Sequence, residues 1–127
     1  MIIPKGYQAV MPYLILNNAE AFIDFTAKVF HAQLINKHLR EDHQTIMHAE
    51  VNISGSVIMF AEATEEYPVQ TANLFVYVDN ADENYHVALQ NGATSVNEPA
   101  DQPYGRSCGV KDPFGNSWWI TSQAGGK

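Results

Sequence analysis

The first half of the chain contains one segment with helical periodicity, bordered by segments whose apolar residues suit strands. Apolar residues recur every three or four positions between residues 19 and 30, and Asn17 or Asn18 can cap the start of this helix. Strands are predicted at about residues 7–16, 33–40, 45–53 and 57–62. The predicted order is therefore strand, helix, strand, strand, strand.

The second half of the chain repeats this order. Residues 14–19 (LILNNA) are echoed 62 positions later by residues 76–81 (VYVDNA), and the turn at 54–56 has a counterpart 60 positions later at 114–116. A spacing that changes so little indicates a duplicated module, and chance similarity of short strands is the alternative. The second module is predicted to contain a helix at about residues 81–90 and strands at about 73–78, 94–97, 106–111 and 116–122.

The repeat divides one domain, residues 1–127, into two modules. Module one spans about residues 7–62, a polar linker spans about 63–71, and module two spans about 72–122. Each module combines a helix with strands, so the predicted fold class is α+β. The whole chain has the length of one domain, whereas either half alone is small for an independent hydrophobic core.

Composition and charge exclude several function classes. A formal net charge of −7 argues against nonspecific binding of nucleic acid or of an anionic membrane, because both require a basic surface. The single Cys108 cannot form an intramolecular disulfide, which favours a reducing compartment. No apolar run approaches the ~20 residues of a membrane span, and the N-terminus lacks a secretory signal pattern. We therefore expect a cytoplasmic protein.

Paired modules with the motif DPFGN (112–116) before a final aromatic strand resemble the vicinal oxygen chelate superfamily, which includes glyoxalase I, bleomycin-resistance proteins and extradiol dioxygenases. Several segments look like its PhnB-like, glyoxalase-like branch: 12–14 (PYL), 21–25 (AFIDF), 47–51 (MHAEV), 104–106 (YGR) and 112–118 (DPFGNSW). The resemblance implies two tandem βαβββ modules that form a curled mixed sheet around a cleft, with the helices on the convex side. It also implies a homodimer.

Alternate side chains of a strand point to opposite faces of the sheet, which predicts the side chains that line this cleft. Small and aliphatic positions are assigned to the helix side, and the intervening positions to the cleft. On the third strand of module two, the repeat assigns Cys108 and Val110 to the cleft together with Arg106. The predicted ligand-binding residues are Met11, Tyr13, His48, Glu50, Met59, Phe75, Tyr77, Tyr104, Arg106 and Trp119.

Metal-dependent members of the superfamily hold a divalent ion with His, Glu or Gln side chains from the first and last strands of both modules. The resemblance places these four positions at Met11, Met59, Asn73 and Trp119. Thioethers suit Cu(I) and an indole donates a proton, so only Asn73 could bind such an ion. We therefore expect no metal cofactor, although a register error of one residue would bring Glu62 or Pro12 to the site.

Other candidate chemistry involves His48 with Glu50, and Cys108 with Arg106. The first pair lies at i and i+2 of one strand, where it could coordinate a metal or form a hydrogen-bonded polar pair. The Arg106 guanidinium could stabilise a Cys108 thiolate, or the thiol could be an inert apolar group. The remaining histidines are assigned to structure or surface: His31, His38, His43 and His86.

The predicted function is binding of a small organic molecule in an aromatic-lined cleft without metal. Ring stacking would hold the ligand, and Arg106 would orient an anionic group on it. The alternatives are a metal-dependent lyase, isomerase or dioxygenase of the glyoxalase type, and a purely structural dimer. The sequence leaves open whether the protein is an enzyme, and it favours a binding or resistance role.

Overall fold

The computed structural model describes residues 1–123, in which two helices and eight strands follow the predicted order. The elements are β1 (Tyr13–Leu16), α1 (Ala19–Phe30), β2 (Gln33–Leu39), β3 (Ile46–Ile53), β4 (Ser56–Glu62), β5 (Asn73–Tyr77), α2 (Ala81–Gln90), β6 (Thr94–Gln102), β7 (Gly105–Lys111) and β8 (Ser117–Ser122). The predicted α+β class with two βαβββ modules is confirmed. No helix in this part of the chain is long and apolar enough to cross a membrane.

The chain divides into two compact units, which we call unit 1 and unit 2. Unit 1 comprises residues 1–27 and 31–71, and unit 2 comprises residues 28–30 and, within the described part of the chain, 72–123. Each unit contains one four-stranded sheet, with the order β1-β4-β3-β2 in unit 1 and β5-β8-β7-β6 in unit 2. In both sheets the first strand runs parallel to the last strand, and the other pairs are antiparallel.

Helix α1 covers one face of the unit 1 sheet. Phe22 meets Phe60 of β4 edge to face, with ring centroids 4.8 Å apart, and both side chains are fully buried. The helix begins after Asn18, whose side chain accepts the backbone N–H of Ala21. The Glu62 carboxylate at the end of β4 accepts two further N–H groups of this first turn, from Asn18 and Ala19. An anion at this position also interacts favourably with the helix dipole.

Strand β1 is shorter than the sequence predicts, because it begins at Tyr13 rather than at residue 7. The preceding Pro12 has no N–H group for the ladder, although its carbonyl still accepts the Met59 N–H. Farther back, the Gln8 side chain bonds both the carbonyl and the N–H of Val57. A side-chain amide therefore replaces the backbone hydrogen bonds that a longer strand would make.

In unit 2, the DPFGN turn is organised by the buried carboxylate of Asp112. One carboxylate oxygen accepts the backbone N–H groups of Phe114 and Asn116, at 2.9 and 2.8 Å. The other accepts the Asn116 side-chain amide and, at 2.8 Å, the indole N–H of Trp118. Phe30 packs on the Trp118 ring, with centroids 4.6 Å apart. One carboxylate thus fixes both the turn and the largest buried side chain of the unit.

Replacing Asp112 with Ala should remove the carboxylate that accepts hydrogen bonds from the buried indole N–H of Trp118 and from two backbone N–H groups. We expect a loss of about 3 kcal/mol in the free energy of unfolding, since each unsatisfied buried donor costs about 1–3 kcal/mol and local water will recover part of this. Urea unfolding followed by far-UV circular dichroism measures the change. Glu65→Ala, at an exposed carboxylate, is the matched control. Equal losses in the two variants would contradict this role of Asp112.

Candidate functional site

Four of the predicted site residues lie together on the face of the unit 1 sheet opposite α1. We call this surface the first open face. Met59 of β4 is the register partner of both Tyr13 on β1 and Glu50 on β3, so the three side chains form a row across the sheet. His48 lies two residues from Glu50 and therefore on the same face.

Three of these side chains form a continuous hydrogen-bonded triad. The Tyr13 hydroxyl lies 3.0 Å from Nδ1 of His48, and Nε2 of His48 lies 2.7 Å from Oε2 of Glu50. The other oxygen of Glu50 accepts hydrogen bonds from the Tyr7 hydroxyl and, at 3.0 Å, from the Asn36 side-chain amide. The polar-pair interpretation of His48 and Glu50 therefore matches the structure, and the pair extends to Tyr13.

The surroundings of Glu50 keep it ionised. Burial alone would raise its pKa, but hydrogen bonds from Tyr7, His48 and Asn36 together outweigh burial and lower the pKa. The same hydrogen bond raises the pKa of the Tyr7 hydroxyl, because the hydroxyl must keep its proton to donate to the carboxylate. An ionised carboxylate only accepts hydrogen bonds, so Nε2 of His48 carries a proton, and in the neutral imidazole Nδ1 accepts the Tyr13 hydroxyl.

Sequence reasoning missed Tyr7 and Asn36. Residue 7 was assigned to a regular strand, whereas it belongs to an irregular segment that returns over the sheet to reach Glu50. Asn36 lies opposite Glu50 in the β2–β3 pairing, but a register shift between Leu34 and Asn36 breaks the alternation. Only the hairpin spacing between Asn36 and Glu50 could have indicated this neighbour.

The face of the unit 2 sheet opposite α2, the second open face, carries aromatic side chains. Phe75 and Tyr77 lie on β5 and are 53% and 64% exposed, and their rings meet edge to face at 5.1 Å. Trp119 lies on β8 as the register partner of Phe75. We call these three rings the aromatic platform. The structure thus brings together three of the predicted ligand-binding residues.

The Trp119 ring is held in place by two neighbours. Its indole N–H donates to the Asn73 side-chain oxygen at 3.1 Å. Its six-membered ring lies over Gly109 of β7, so closely that a Cβ atom there would stand 2.6 Å from Cζ3 of the indole. Only glycine leaves room for the ring in this orientation. The Trp119 ring is therefore oriented by the fold before any ligand arrives.

Arg106 lies on the opposite side of this sheet, so its predicted place in the cleft is wrong. Its guanidinium forms two hydrogen bonds with the Asp82 carboxylate in the first turn of α2, at 2.9 and 3.0 Å. This contact lowers the pKa of Asp82 and raises that of Arg106. A guanidinium paired in this way holds helix α2 on the sheet.

Cys108 and Val110 lie on this helix-covered side together with Arg106. The Cys108 thiol is directed at the carbonyl groups of Ala81 and Ile120, and burial raises its pKa to about 11. It is an inert buried thiol rather than a nucleophile. The error arose from the repeat spacing, since Glu50 pairs with Met59 whereas Gly109 pairs with Trp119. The spacing is thus one residue shorter on this strand, which reverses its faces.

Tyr104 lines a shallow groove of about 490 Å³ beside the β6–β7 hairpin. The lining residues are Ser95, Val96, Asn97, Glu98, Ala100, Gln102, Tyr104, Ser107 and Cys108. Val96 lies near Gly109 on the second open face, so the groove borders the aromatic platform within unit 2. The sequence did not indicate most of these residues, because β6 was expected to end near residue 97.

The four family metal positions offer a poor donor set. Met59 and Trp119 hold equivalent positions in the two units, opposite Tyr13 and Phe75, and Asn73 already accepts the Trp119 indole N–H. Met11 precedes β1 and brings only a thioether. Glu62 caps helix α1, so it lies away from this face. Among residues 1–123, no three His, Cys, Asp or Glu side chains are grouped closely enough to hold a metal ion.

Two βαβββ units with these mixed sheets define a protein of the glyoxalase-like class. The family model of the Glyoxalase/Bleomycin resistance protein/Dioxygenase superfamily matches residues 8–120. The chain belongs to this superfamily, which confirms the resemblance seen in its motifs.

The chain is also similar to a curated relative and to solved structures. An uncharacterized protein of Mycobacterium bovis is 30% identical over 122 residues, which cover 87% of this chain and 80% of that protein. The structure of TioX from Micromonospora sp. ML1 has a TM-score of 0.72 at 25% identity, covering 92% of this chain and 97% of TioX. TnmS3 from Streptomyces sp. CB03234, an antibiotic binding protein, has a TM-score of 0.70 at 16% identity, covering 93% and 100%.

A double-mutant cycle tests how Gly109 positions Trp119. Gly109→Ala should force the indole to move and should cost about 1–3 kcal/mol of unfolding free energy, the usual range for overpacking. In a Trp119→Ala background the same change should cost less than about 0.5 kcal/mol, because the clashing ring is gone. Urea unfolding measures both costs. Equal costs in the two backgrounds would show that Gly109 is needed for some other reason.

Proposed function

We propose that this protein binds a small, flat organic molecule on the aromatic platform of unit 2, and that it does so without a metal. The observation that carries the proposal is the Trp119 ring, which Gly109 and Asn73 hold in one orientation beside two exposed rings. A ring that is already fixed loses little conformational entropy when a ligand binds. More of the stacking free energy therefore contributes to affinity than with a mobile ring.

Exposure of the platform also favours a binding role. Phe75 and Tyr77 leave more than half of their surface in water, and such neighbouring apolar rings usually mark an interaction site. Stacking on aromatic side chains contributes about 0.5–1.5 kcal/mol per ring pair beyond buried area. The adjoining groove supplies hydroxyl, amide and carboxylate groups, from Ser107, Asn97 and Glu98, that can orient polar substituents of a ligand.

The fold is compatible with this role. TnmS3, which shares the fold, is an antibiotic binding protein. A shared fold does not by itself assign a function, so the proposal depends on the platform and not on this likeness. With Arg106 engaged by Asp82, an anionic group on the ligand would need another partner, which argues for a flat ligand of low charge.

Donor chemistry at the four family positions supports the metal-free part of the proposal. Thioethers and an indole do not bind Zn²⁺, Ni²⁺, Mn²⁺ or Fe²⁺ well, and the Asn73 oxygen is occupied by Trp119. A metal-dependent lyase, isomerase or dioxygenase is therefore the less favoured alternative. We also propose a cytoplasmic homodimer, supported by the free thiol of Cys108, which suits a reducing compartment, and by the homodimer that the superfamily resemblance implies.

Substituting Trp119 with Ala should weaken binding of planar aromatic compounds. A panel of uncharged polycyclic aromatic antibiotics would be titrated against the protein by isothermal calorimetry. For those that bind, we expect Kd to rise at least about tenfold in the variant, which corresponds to about 1.4 kcal/mol. Tyr67→Ala removes an exposed ring from unit 1 and should leave Kd unchanged. Unchanged affinity in Trp119→Ala, with the fold intact, would refute the platform as the binding site.

Elemental analysis distinguishes the metal-free proposal from its alternative. Protein equilibrated with Zn²⁺, Ni²⁺, Mn²⁺ and Fe²⁺, then passed through a desalting column, should retain far less than one ion per chain. Replacing Asn73 with His would restore a strong donor at one family position and serves as the comparison. Stoichiometric metal in the unsubstituted protein would overturn the proposal.

A further inference from the structure

The Tyr13–His48–Glu50 triad has a graded exposure that the binding proposal does not use. Glu50 is 5% exposed, His48 is half-buried, and Tyr13 is 48% exposed on the first open face. The triad therefore runs from a buried carboxylate to an accessible hydroxyl. It lies entirely within unit 1 and shares no residue with the aromatic platform.

Hydrogen bonds give the triad a direction. The Glu50 carboxylate accepts from Nε2 of His48 at 2.7 Å, which places the lone pair of Nδ1 toward the Tyr13 hydroxyl at 3.0 Å. Tyr7 and Asn36 hold the carboxylate from its other oxygen. Enzymes activate a hydroxyl group with this same order of groups: a carboxylate acceptor, an oriented imidazole and an accessible hydroxyl.

We propose that the triad is a metal-independent proton-transfer site, in which Tyr13 is the catalytic residue and Glu50 is the positioning residue for His48. The substrate class is an arylmethyl ketone, in which the carbon next to the carbonyl group carries both an acidic C–H bond and an aryl ring. The reaction is keto–enol isomerisation. The proposal goes beyond the proposed binding function and does not depend on it.

The proton balance of this step requires no co-reactant. The Tyr13 oxygen takes the proton from the substrate carbon while its own proton passes to Nδ1 of His48, and the electron pair of the broken C–H bond forms the enolate. The imidazolium is stabilised by the Glu50 carboxylate. The protons then return along the same path, and the enolate oxygen receives one to form the enol.

The neighbours of the triad favour a flat substrate. The Met59 side chain lies between Tyr13 and Glu50 in the sheet register, and thioethers make favourable contacts with aromatic rings. The His38 ring stacks on His48 with centroids 6.5 Å apart, and Tyr13 is tilted against His48 at 5.5 Å. A planar carbonyl compound beside Tyr13 would therefore contact Met59 and imidazole.

Phenylpyruvate is the probe, because its enol form absorbs in the ultraviolet and its conversion to the keto form can be followed continuously. The unsubstituted protein should accelerate the conversion over buffer at the same pH. Tyr13→Phe should reduce the catalysed rate roughly 100-fold, the usual contribution of a positioned acid–base group. Tyr67→Phe removes a similarly exposed hydroxyl in the linker and should retain the full rate.

Glu50→Gln tests the positioning role separately from folding. A glutamine can accept from Tyr7 and Asn36, but its NH₂ group would donate to Nε2 of His48 and move the imidazole proton to Nδ1. The rate should fall about as far as in Tyr13→Phe, with an unchanged Tm and with ¹⁵N shifts of His48 that report the exchanged tautomer. Glu50→Asp, which keeps the carboxylate, should restore part of the rate.

Three results would overturn this proposal: no acceleration by the unsubstituted protein, full activity of Tyr13→Phe, or full activity of Glu50→Gln with the tautomer exchanged. Trp119→Ala distinguishes the two proposals, because it should abolish ligand stacking in unit 2. If its effect on binding is absent while Tyr13→Phe loses activity, only the binding proposal fails. If binding is lost in Trp119→Ala while Tyr13→Phe stays fully active, only the proton-transfer proposal fails.

Discussion

The parallel pairing of the first strand with the last strand determines which side chains lie on the open face of each unit. Tyr13 pairs with Met59, and Phe75 pairs with Trp119, so the two sheets share one register. Because side chains alternate along a strand, a slip of one residue would exchange the whole open face with the buried face. Buried helix contacts such as Phe22 on Phe60 resist that slip, since it would expose large apolar side chains. The open faces are therefore as well defined as the cores beneath them.

The same geometry carries different chemistry in the two units. On the first open face, the row of register partners holds Tyr13, the Met59 thioether and the Glu50 carboxylate, and the polar groups bond one another through His48. On the second, the equivalent positions hold an indole above Gly109, where a side chain would collide with the ring. A duplicated scaffold fixes backbone positions and leaves the residues free to diverge, which is why fold and function separate in such proteins. Here the open face of unit 2 carries aromatic rings, and the open face of unit 1 carries a directional hydrogen-bonded triad.

The sequence predicted the modules and most of the site, because alternation and repeat spacing are strong local signals. It placed Tyr13, Met59, Phe75 and Trp119 on the open faces where the structure has them. It failed for Arg106, because the repeat shortens by one residue on β7 and reverses the faces of that strand. A change of one position in the spacing has no signature in a single sequence. Periodicity also cannot predict contacts made by an irregular segment, such as the contact of Tyr7 with Glu50.

Stability alone explains the presence of Glu50 less well than that of any other residue in the site. Removing a carboxylate from water is costly, and here the cost is offset by Tyr7, Asn36 and His48, which must themselves be held in place. Well-packed apolar side chains of similar volume often stabilise a fold as much as such a network does. What an apolar replacement could not supply is a fixed imidazole tautomer next to an accessible hydroxyl. The network orders a proton path that ends at the protein surface, and this order favours a chemical role over a purely structural one.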